Sequence, residues 1–181
     1  MFENMCNVLK FIGIDNIINA ISVIIVAFGG SLGYRQWKQA KAIKRADYLN
    51  TLVEKIRTDK DIGEMIYILD YNPNWYSPSF HNSGEFERKM DKTLSYFSYI
   101  CYLYKQKLIK KQEFEFLRYS IERILMNRST VNYFYNIYHF ASKYTVPTTF
   151  KCLFEYGQDK GMFRESFYDP QSKEYPHYLN F

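Results

Sequence analysis

Residues that could support catalytic or metal chemistry are few in this 181-residue chain and lie far apart. The three histidines are His81, His139 and His177, and the three cysteines form no CxxC or CxxH pair. The motifs GxGxxG, GxxxxGK[ST] and HExxH, which position nucleotides, phosphates or zinc, are also lacking. We therefore expect no enzyme activity, no cofactor and no metal site.

A cluster of carboxylates is the basis for an enzymatic alternative. Glu85, Glu87 and Asp91 lie at the start of a predicted helix, where the helix dipole favours acidic side chains. An enzyme would need folding to bring Glu85 and Glu87 to His139. The dipole is the simpler explanation for these acids.

Basic and aromatic side chains alternate around a predicted helix junction, and together they could bind an anionic ligand. Cations can hold phosphates while aromatic rings stack on bases. The residues are Lys110, Lys111, Arg118, Tyr119, Arg123 and Arg128. Because Glu113, Glu115 and Glu122 lie among them, an ordinary solvated helix face is the competing interpretation, and the sequence slightly favours it.

Polar and small residues form a stripe at helical spacing near the N-terminus. They are Asp15, Asn19, Ser22, Val26, Gly29 and Gly33, at steps of three and four. Gly29 and Gly33 form a GxxxG pair, which lets two membrane helices approach closely. The stripe is consistent with a self-associating anchor. It is equally consistent with a pore lined by Asp15, Asn19, Ser22 and Val26, with a ring of Asp15 carboxylates at the outer mouth favouring cations.

The element that carries this stripe is an uncharged run at residues 16–34. Its nineteen residues would form a helix of about 28 Å, close to the thickness of a bilayer core. Residues 35–57 follow with seven basic and two acidic side chains, which accounts for the whole net charge of +5. By the positive-inside rule we expect a single pass through the cell inner membrane, with the N-terminus outside and the following domain in the cytoplasm.

The basic residues directly after the span form a belt that suits anionic lipid headgroups. The belt consists of Arg35, Lys38, Lys41, Lys44 and Arg45. Residues 1–15 precede the span, and they fit either an interfacial segment or an extension of the membrane helix. Membrane lipids are therefore expected partners.

The rest of the chain predicts an all-α fold. Residues 35–57 continue the span as a basic juxtamembrane helix, and residues 58–163 show apolar residues at steps of three and four, typical of a small cytosolic helical bundle. Thr58 to Asp61 resembles a capping box that would start the first bundle helix. Residues 164–181 contain two prolines and no clear period, which predicts an irregular C-terminal tail.

The order of these features resembles bacterial single-span membrane proteins with a helical cytosolic domain, and specifically the membrane effectors of the Hailong anti-phage defence system. The resemblance is carried by a span ending GGSLGYRQW, the basic helix KQAKAIKRADYLNTLVEKIR and a bundle rich in Tyr and Phe. It implies an oligomeric channel whose cytosolic domains bind a short DNA oligomer that holds the channel inactive. Loss of that ligand would depolarise the membrane.

The leading hypothesis is a homo-oligomeric membrane effector of anti-phage defence with a gated ion-conducting pore. Its expected partners are further copies of itself, with a tetramer as one stoichiometry, together with a nucleotide or short oligonucleotide bound to the helical domain. The alternative is a membrane-tethered, non-conducting scaffold that presents its helical domain to a protein partner.

Overall fold

A computed structural model describes residues 13–82 and 84–181, except for the side chains of residues 14 and 15. The described residues contain no strand, and the predicted all-α fold is confirmed. The described residues form six α-helices, which are α1 (Ile14–Thr58), α2 (Lys60–Tyr71), α3 (Glu85–Lys105), α4 (Lys111–Met126), α5 (Arg128–Tyr144) and α6 (Lys151–Asp159). Two short 3-10 helices occur at Phe80–Asn82 and Glu165–Tyr168. Most of the predicted segment 1–15 lies outside the described residues.

The chain divides into two compact units, Met1–Asn50 and Thr51–Phe181. The described part of the first unit is almost entirely helical and belongs to α1, which is 45 residues long. This helix runs without a break through both the predicted span at 16–34 and the predicted juxtamembrane segment at 35–57. Within the described residues it is the helix that is long and apolar enough to cross a membrane, and no residue of its 18-residue apolar window is buried.

The second unit is a helical bundle in which α3 contacts α2, α4 and α6. The apolar residues at steps of three and four explain this packing, because residues at that spacing form a stripe on one face of a helix. On α4 the stripe Phe114, Leu117, Ile121 and Ile124 is fully buried. On α3 the stripe is buried from Met90 to Cys101, whereas Leu108, beyond the helix end, is exposed.

The start of α2 differs from the predicted capping box. Thr58 is the last residue of α1, and its hydroxyl donates a hydrogen bond to the Glu54 carbonyl (2.8 Å). Asp59 is the N-cap instead, since its carboxylate accepts from the amides of Asp61 and Ile62. The Lys92 ammonium donates to Asp59 Oδ1 (2.8 Å) and to Asp61 Oδ2 (2.9 Å), so the capping residue also links α2 to α3.

The C-terminal tail is irregular in backbone but well packed. Apart from the 3-10 helix at Glu165–Tyr168, it consists of turns and extended segments. The Tyr175 ring stacks on Tyr135 of α5 with centroids 4.6 Å apart, and Phe181 stacks on His139 at 5.3 Å. Phe167 is fully buried. The tail is therefore part of the core of the second unit.

Asn136 of α5 holds this tail through its buried side-chain amide. Its Nδ2 donates to the Pro176 carbonyl (2.7 Å), and its Oδ1 accepts from the amides of Tyr178 (2.7 Å) and Leu179 (3.0 Å). An additional Nδ2 bond to the Asn132 carbonyl uses the second amide hydrogen. One fully buried side chain thus satisfies three backbone groups of the tail.

Alanine at Gly157 tests how closely α6 packs. A Cβ there would lie 2.9 Å from two ring carbons of Phe163 and 3.3 Å from Leu125, so Gly157→Ala should destabilise the bundle by about 1–3 kcal/mol. Gly63→Ala is the matched control, because Gly63 lies inside α2 and faces open space; it should stabilise the protein by roughly 0.5–1 kcal/mol. Thermal unfolding followed by circular dichroism measures both. Equal effects of the two variants would contradict close packing at Gly157.

Alanine at Asn136 tests the attachment of the tail. Asn136→Ala leaves buried backbone groups without partners and should cost roughly 2–3 kcal/mol, releasing the tail first. Limited trypsin digestion measures the release of the tail, because Lys173 is an exposed cleavage site within it. Cleavage at Lys173 should be many times faster in Asn136→Ala than in the wild type. Asn132→Ala is the control, since the Asn132 side chain makes no hydrogen bond in the described structure. An unchanged cleavage rate in Asn136→Ala would show that the aromatic contacts alone hold the tail.

Candidate functional site

The predicted stripe on α1 is exposed along its described length. Asn19, Ser22 and Val26 are all exposed, and a Cβ added at Gly29 or Gly33 would meet no atom within 4 Å. The side chain of Asp15 lies outside the described residues. The opposite apolar face is also exposed, with Ile24 at 66% and Phe28 at 67% of their full accessible surface. Both faces of the helix are therefore open to lipid or to further helices.

The same helix contains a GxSxG pattern at residues 29–33, with Ser31 at its centre. In hydrolases this pattern forms a sharp turn between a strand and a helix, and the turn exposes the serine nucleophile. Here all five residues are regular α-helix in the interior of α1. The pattern thus lacks the backbone geometry that a nucleophile requires.

The basic belt follows the stripe on α1. Arg35, Lys38 and Lys44 form no ion pair within the described residues. The Lys41 ammonium lies 4.1 Å from the centre of the Trp37 ring, and Trp37 packs beside Tyr34 with centroids 5.9 Å apart. Cations and aromatic rings therefore lie together directly after the apolar window. This combination is typical of a membrane–water interface.

The predicted ligand residues of α4 are largely paired with neighbouring acids. The Arg118 guanidinium lies 3.0 Å from Glu115 and 3.7 Å from Glu122, and Arg123 lies 2.7 Å from Asp70 and over the Tyr119 ring. The Lys110 amide donates to Glu113 Oε2, while Lys111 is exposed at the helix start. These residues form a mixed-charge helix face.

Arg128, the sixth predicted ligand residue, lies elsewhere. It lines two adjoining surface cavities of about 490 and 580 Å³, and both are also lined by Asn132, Glu174 and Tyr175. Lys173 lines the larger of the two. We call this surface, defined by Arg128, Asn132, Lys173, Glu174 and Tyr175, the α5–tail groove. Sequence reasoning missed its tail residues, although the density of aromatic residues after Arg164 was a signal that the tail packs.

Charges in the α5–tail groove are unevenly compensated. Arg128 and Lys173 are exposed and form no ion pair in the described structure. Arg164, which lines the smaller cavity, lies 3.8 Å from Glu174, whose carboxylate also accepts from the Ser166 hydroxyl (2.8 Å). With three cations and one carboxylate, the groove carries a net positive charge.

The groove wall at α5 is held by polar contacts from its first turn. Asn127 caps α5, because its side-chain Oδ1 accepts a hydrogen bond from the Thr130 amide. The same Oδ1 also accepts from the Trp75 indole (3.1 Å). Its Nδ2 donates to the Leu69 carbonyl (2.8 Å). The Ser129 hydroxyl donates to the Pro73 carbonyl (2.6 Å). The end of α2, the loop after it and the start of α5 are therefore fixed against one another.

The histidines and carboxylates of the enzymatic alternative do not come together as that hypothesis requires. Glu87 lies 3.1 Å from His81 Nδ1, and Glu85 pairs with Lys89. His139 is buried, and its Nε2 lies 2.9 Å from the Phe167 carbonyl oxygen. Among the described residues no group of three His, Cys, Asp or Glu side chains is placed to hold a metal ion.

A half-buried polar cluster does surround His81. Its Nε2 lies 3.1 Å from the Tyr76 hydroxyl, and nearby the Tyr133 hydroxyl donates to Asp91 Oδ1 (3.0 Å). Burial raises the pKa of the Tyr76 and Tyr133 hydroxyls well above their usual value, so both remain protonated donors. Burial also raises the pKa of the Asp91 carboxyl, and the Tyr133 hydrogen bond opposes that shift.

The raised pKa of Asp91 predicts a pH-dependent stability difference. A carboxyl whose pKa is raised by folding costs stability once the pH rises through its folded value, because the charged form is then desolvated. Asp91→Asn keeps an acceptor for Tyr133 and removes that charge. The melting temperature of the variant relative to wild type should therefore be higher at pH 7 than at about pH 4, near the unfolded pKa.

Asp61→Asn is the control of opposite sign. The hydrogen bond from Lys92 holds the pKa of Asp61 below its usual value, so its contribution to stability is present above about pH 4 and is lost on further acidification. Asp61→Asn should lower the melting temperature at pH 7 and have less effect near pH 3. A difference for Asp91→Asn that does not vary with pH would show that its charge is not the cause.

Comparison with known proteins identifies no relative. No protein-family model, curated protein or solved structure matches the chain. The resemblance to single-span defence effectors stays a prediction from the sequence, carried by the span ending GGSLGYRQW, the basic helix KQAKAIKRADYLNTLVEKIR and the bundle rich in Tyr and Phe.

Proposed function

We propose that this protein is a homo-oligomeric effector of the bacterial inner membrane that forms a gated ion-conducting pore and acts in anti-phage defence. A nucleotide or short oligonucleotide bound to the helical domain controls the gate. The observation that carries the proposal is the polar and small stripe on an otherwise apolar helix, exposed along its described length.

The stripe favours association because of the chemistry of Asn19. An amide that faces hydrocarbon has no hydrogen-bond partner, whereas one that faces another helix or a water-filled path has several. Gly29 and Gly33 lie on the same stripe, and their open surroundings allow a second helix to approach closely. Further copies of α1 are the simplest partners, and four is one stoichiometry that would enclose a narrow path.

The basic belt supports an orientation with the N-terminus outside and the helical domain in the cytoplasm. Arg35, Lys38 and Lys44 are free of ion pairs in the described structure and are available to anionic headgroups, at about 1 kcal/mol each. In that orientation Asp15 lies at the outer mouth, where a ring of carboxylates would favour cations.

The alternative function is a membrane-tethered, non-conducting scaffold. It is favoured by aromatic side chains that the helical domain leaves exposed, among them Tyr67 and Tyr71 on α2 and Phe116 and Tyr119 on α4. Phe116 exposes 74% of its surface and Tyr71 exposes 71%. Large exposed rings of this kind are typical of surfaces that bind a protein partner.

Ion flux into liposomes distinguishes the two functions. Asn19→Leu combined with Ser22→Leu removes the polar groups of the proposed path, so flux should fall at least about tenfold while insertion into the bilayer stays unchanged. The matched control is Ile21→Leu combined with Ile25→Leu on the opposite face, which should leave flux unchanged.

A preparation that inserts and oligomerises but never conducts would exclude the pore. Exchange of residues 16–34 for an unrelated membrane helix then tests the scaffold, which should keep its cellular function with a foreign anchor. A pore would lose its function in that exchange.

A further inference from the structure

We propose that the α5–tail groove binds a small soluble nucleotide, with Arg128 and Lys173 contacting its phosphates and Tyr175 contacting its base. This inference deepens the proposed function, since it places the controlling ligand at a defined surface of the helical domain. It also shifts the site away from α4, which together with its N-cap Lys110 carries five of the six predicted ligand residues.

The cations of the groove are available, whereas the two arginines of α4 that were predicted to bind a ligand are not. Arg118 and Arg123 are held by Glu115 and Asp70 at 3.0 and 2.7 Å. A phosphate bound to them would have to displace a carboxylate. Arg128 and Lys173 have no such partner in the described structure and both line the larger cavity, so a phosphate bound there would not have to break an existing ion pair. The first turn of α5 adds the positive end of a 17-residue helix on the same side.

Glu174 carries a negative charge that would repel a bound phosphate, and its existing contacts reduce that repulsion. Its carboxylate already accepts from the Ser166 hydroxyl and faces Arg164. The remaining charge of the groove is positive, and it is local, because residues 58–181 carry a net charge of only +1. Binding at this surface therefore depends on the groove itself and not on a general attraction of the domain.

The groove also offers groups that recognise a base. One face of the Tyr175 ring is covered by Tyr135, which fixes the orientation of the ring at the cavity wall. Asn74 and Asn132 line the larger cavity with side-chain amides that carry both donors and acceptors. Flat rings beside amides and cations suit a phosphorylated heterocycle better than a simple anion.

The site has the dimensions and rigidity of a small-molecule site. Cavities of about 490 and 580 Å³ lie within the range that such ligands occupy. Their walls are fixed by the contacts of Asn127, Ser129 and Asn136 described above. The ligand would therefore enter a preformed surface and would bridge α5 and the tail.

Isothermal titration of the full-length protein in maltoside detergent tests the proposal. The probes are ATP and the deoxydinucleotide pTpT, with adenosine and glycerol phosphate as analogues that lack the phosphate or the ring. At least one nucleotide should bind, and both analogues should bind at least tenfold more weakly. Binding of glycerol phosphate as tight as that of the nucleotides would indicate a lipid headgroup site and overturn the proposal.

Charge variants locate the binding site. Arg128→Ala with Lys173→Ala should weaken nucleotide binding at least tenfold, and Glu174→Gln should strengthen it severalfold because a repulsive charge is removed. The matched control is Lys111→Ala with Arg118→Ala, which removes the same charge from α4 and should leave binding unchanged. Circular dichroism confirms that each variant is folded.

Absence of nucleotide binding, or equal loss in both double variants, would overturn the groove as the site. Flux measured without added ligand reports on the pore separately. A protein that conducts but binds no nucleotide would refute the groove and nucleotide control of the gate while the pore stands, and one that binds at the groove but never conducts would refute the pore alone.

Discussion

Aromatic rings packed across α5 hold the helical unit together, and its candidate binding surface depends on them. Tyr133 contacts Trp75 and Phe80 from the segment after α2, while Tyr135 stacks on Tyr175 from the tail. Because both tyrosines lie on α5, two segments distant in sequence are brought to the same end of one helix. Each such ring pair contributes about 0.5–1.5 kcal/mol beyond its buried area. The groove is the surface that remains between these segments.

The long helix α1 follows a different physical rule. Its apolar window has no buried residue, so the ring packing that stabilises the bundle has no counterpart there. In water such a surface would cause aggregation. In a bilayer, by contrast, lipid would cover the apolar face, and the backbone N–H and C=O groups would form their hydrogen bonds within the helix. Only the stripe that includes Asn19 and Ser22 then needs other partners. Any association between copies of α1 would therefore depend on different contacts from those that pack the bundle.

Net charge is a poor guide to ligand binding in this protein. The excess of +5 equals the net charge of residues 35–57, which lie directly after the uncharged run and outside the bundle at 58–163. On α4 acids sit beside the arginines and neutralise them, as Asp70 does to Arg123. Arg128 and Lys173 differ because no carboxylate of the described structure pairs with them. Local pairing distinguishes these two cations from Arg118 and Arg123, although all four are equivalent in the composition.

Much of the fold followed from local patterns, because a helix that buries one face repeats its apolar residues every three or four positions. The buried stripe of α4 could be predicted for this reason. The uncharged run and the basic belt could also be predicted, because their length and charge are properties of consecutive residues. The predicted cap of α2 was one residue too early. Thr58 and Asp59 can both cap a helix, and the contact with Lys92 of α3 favours Asp59.

Tertiary structure alone decided the packing of the tail and the composition of the groove. The tail has no period, and its position depends on rings and on one buried amide, Asn136, contributed by a helix far away in sequence. Arg128 was one of five equivalent cations among the predicted ligand residues until folding placed Lys173 and Tyr175 beside it in the groove. Contacts of this kind depend on the shape and pairing of distant segments, so they cannot be predicted from the spacing of neighbouring residues.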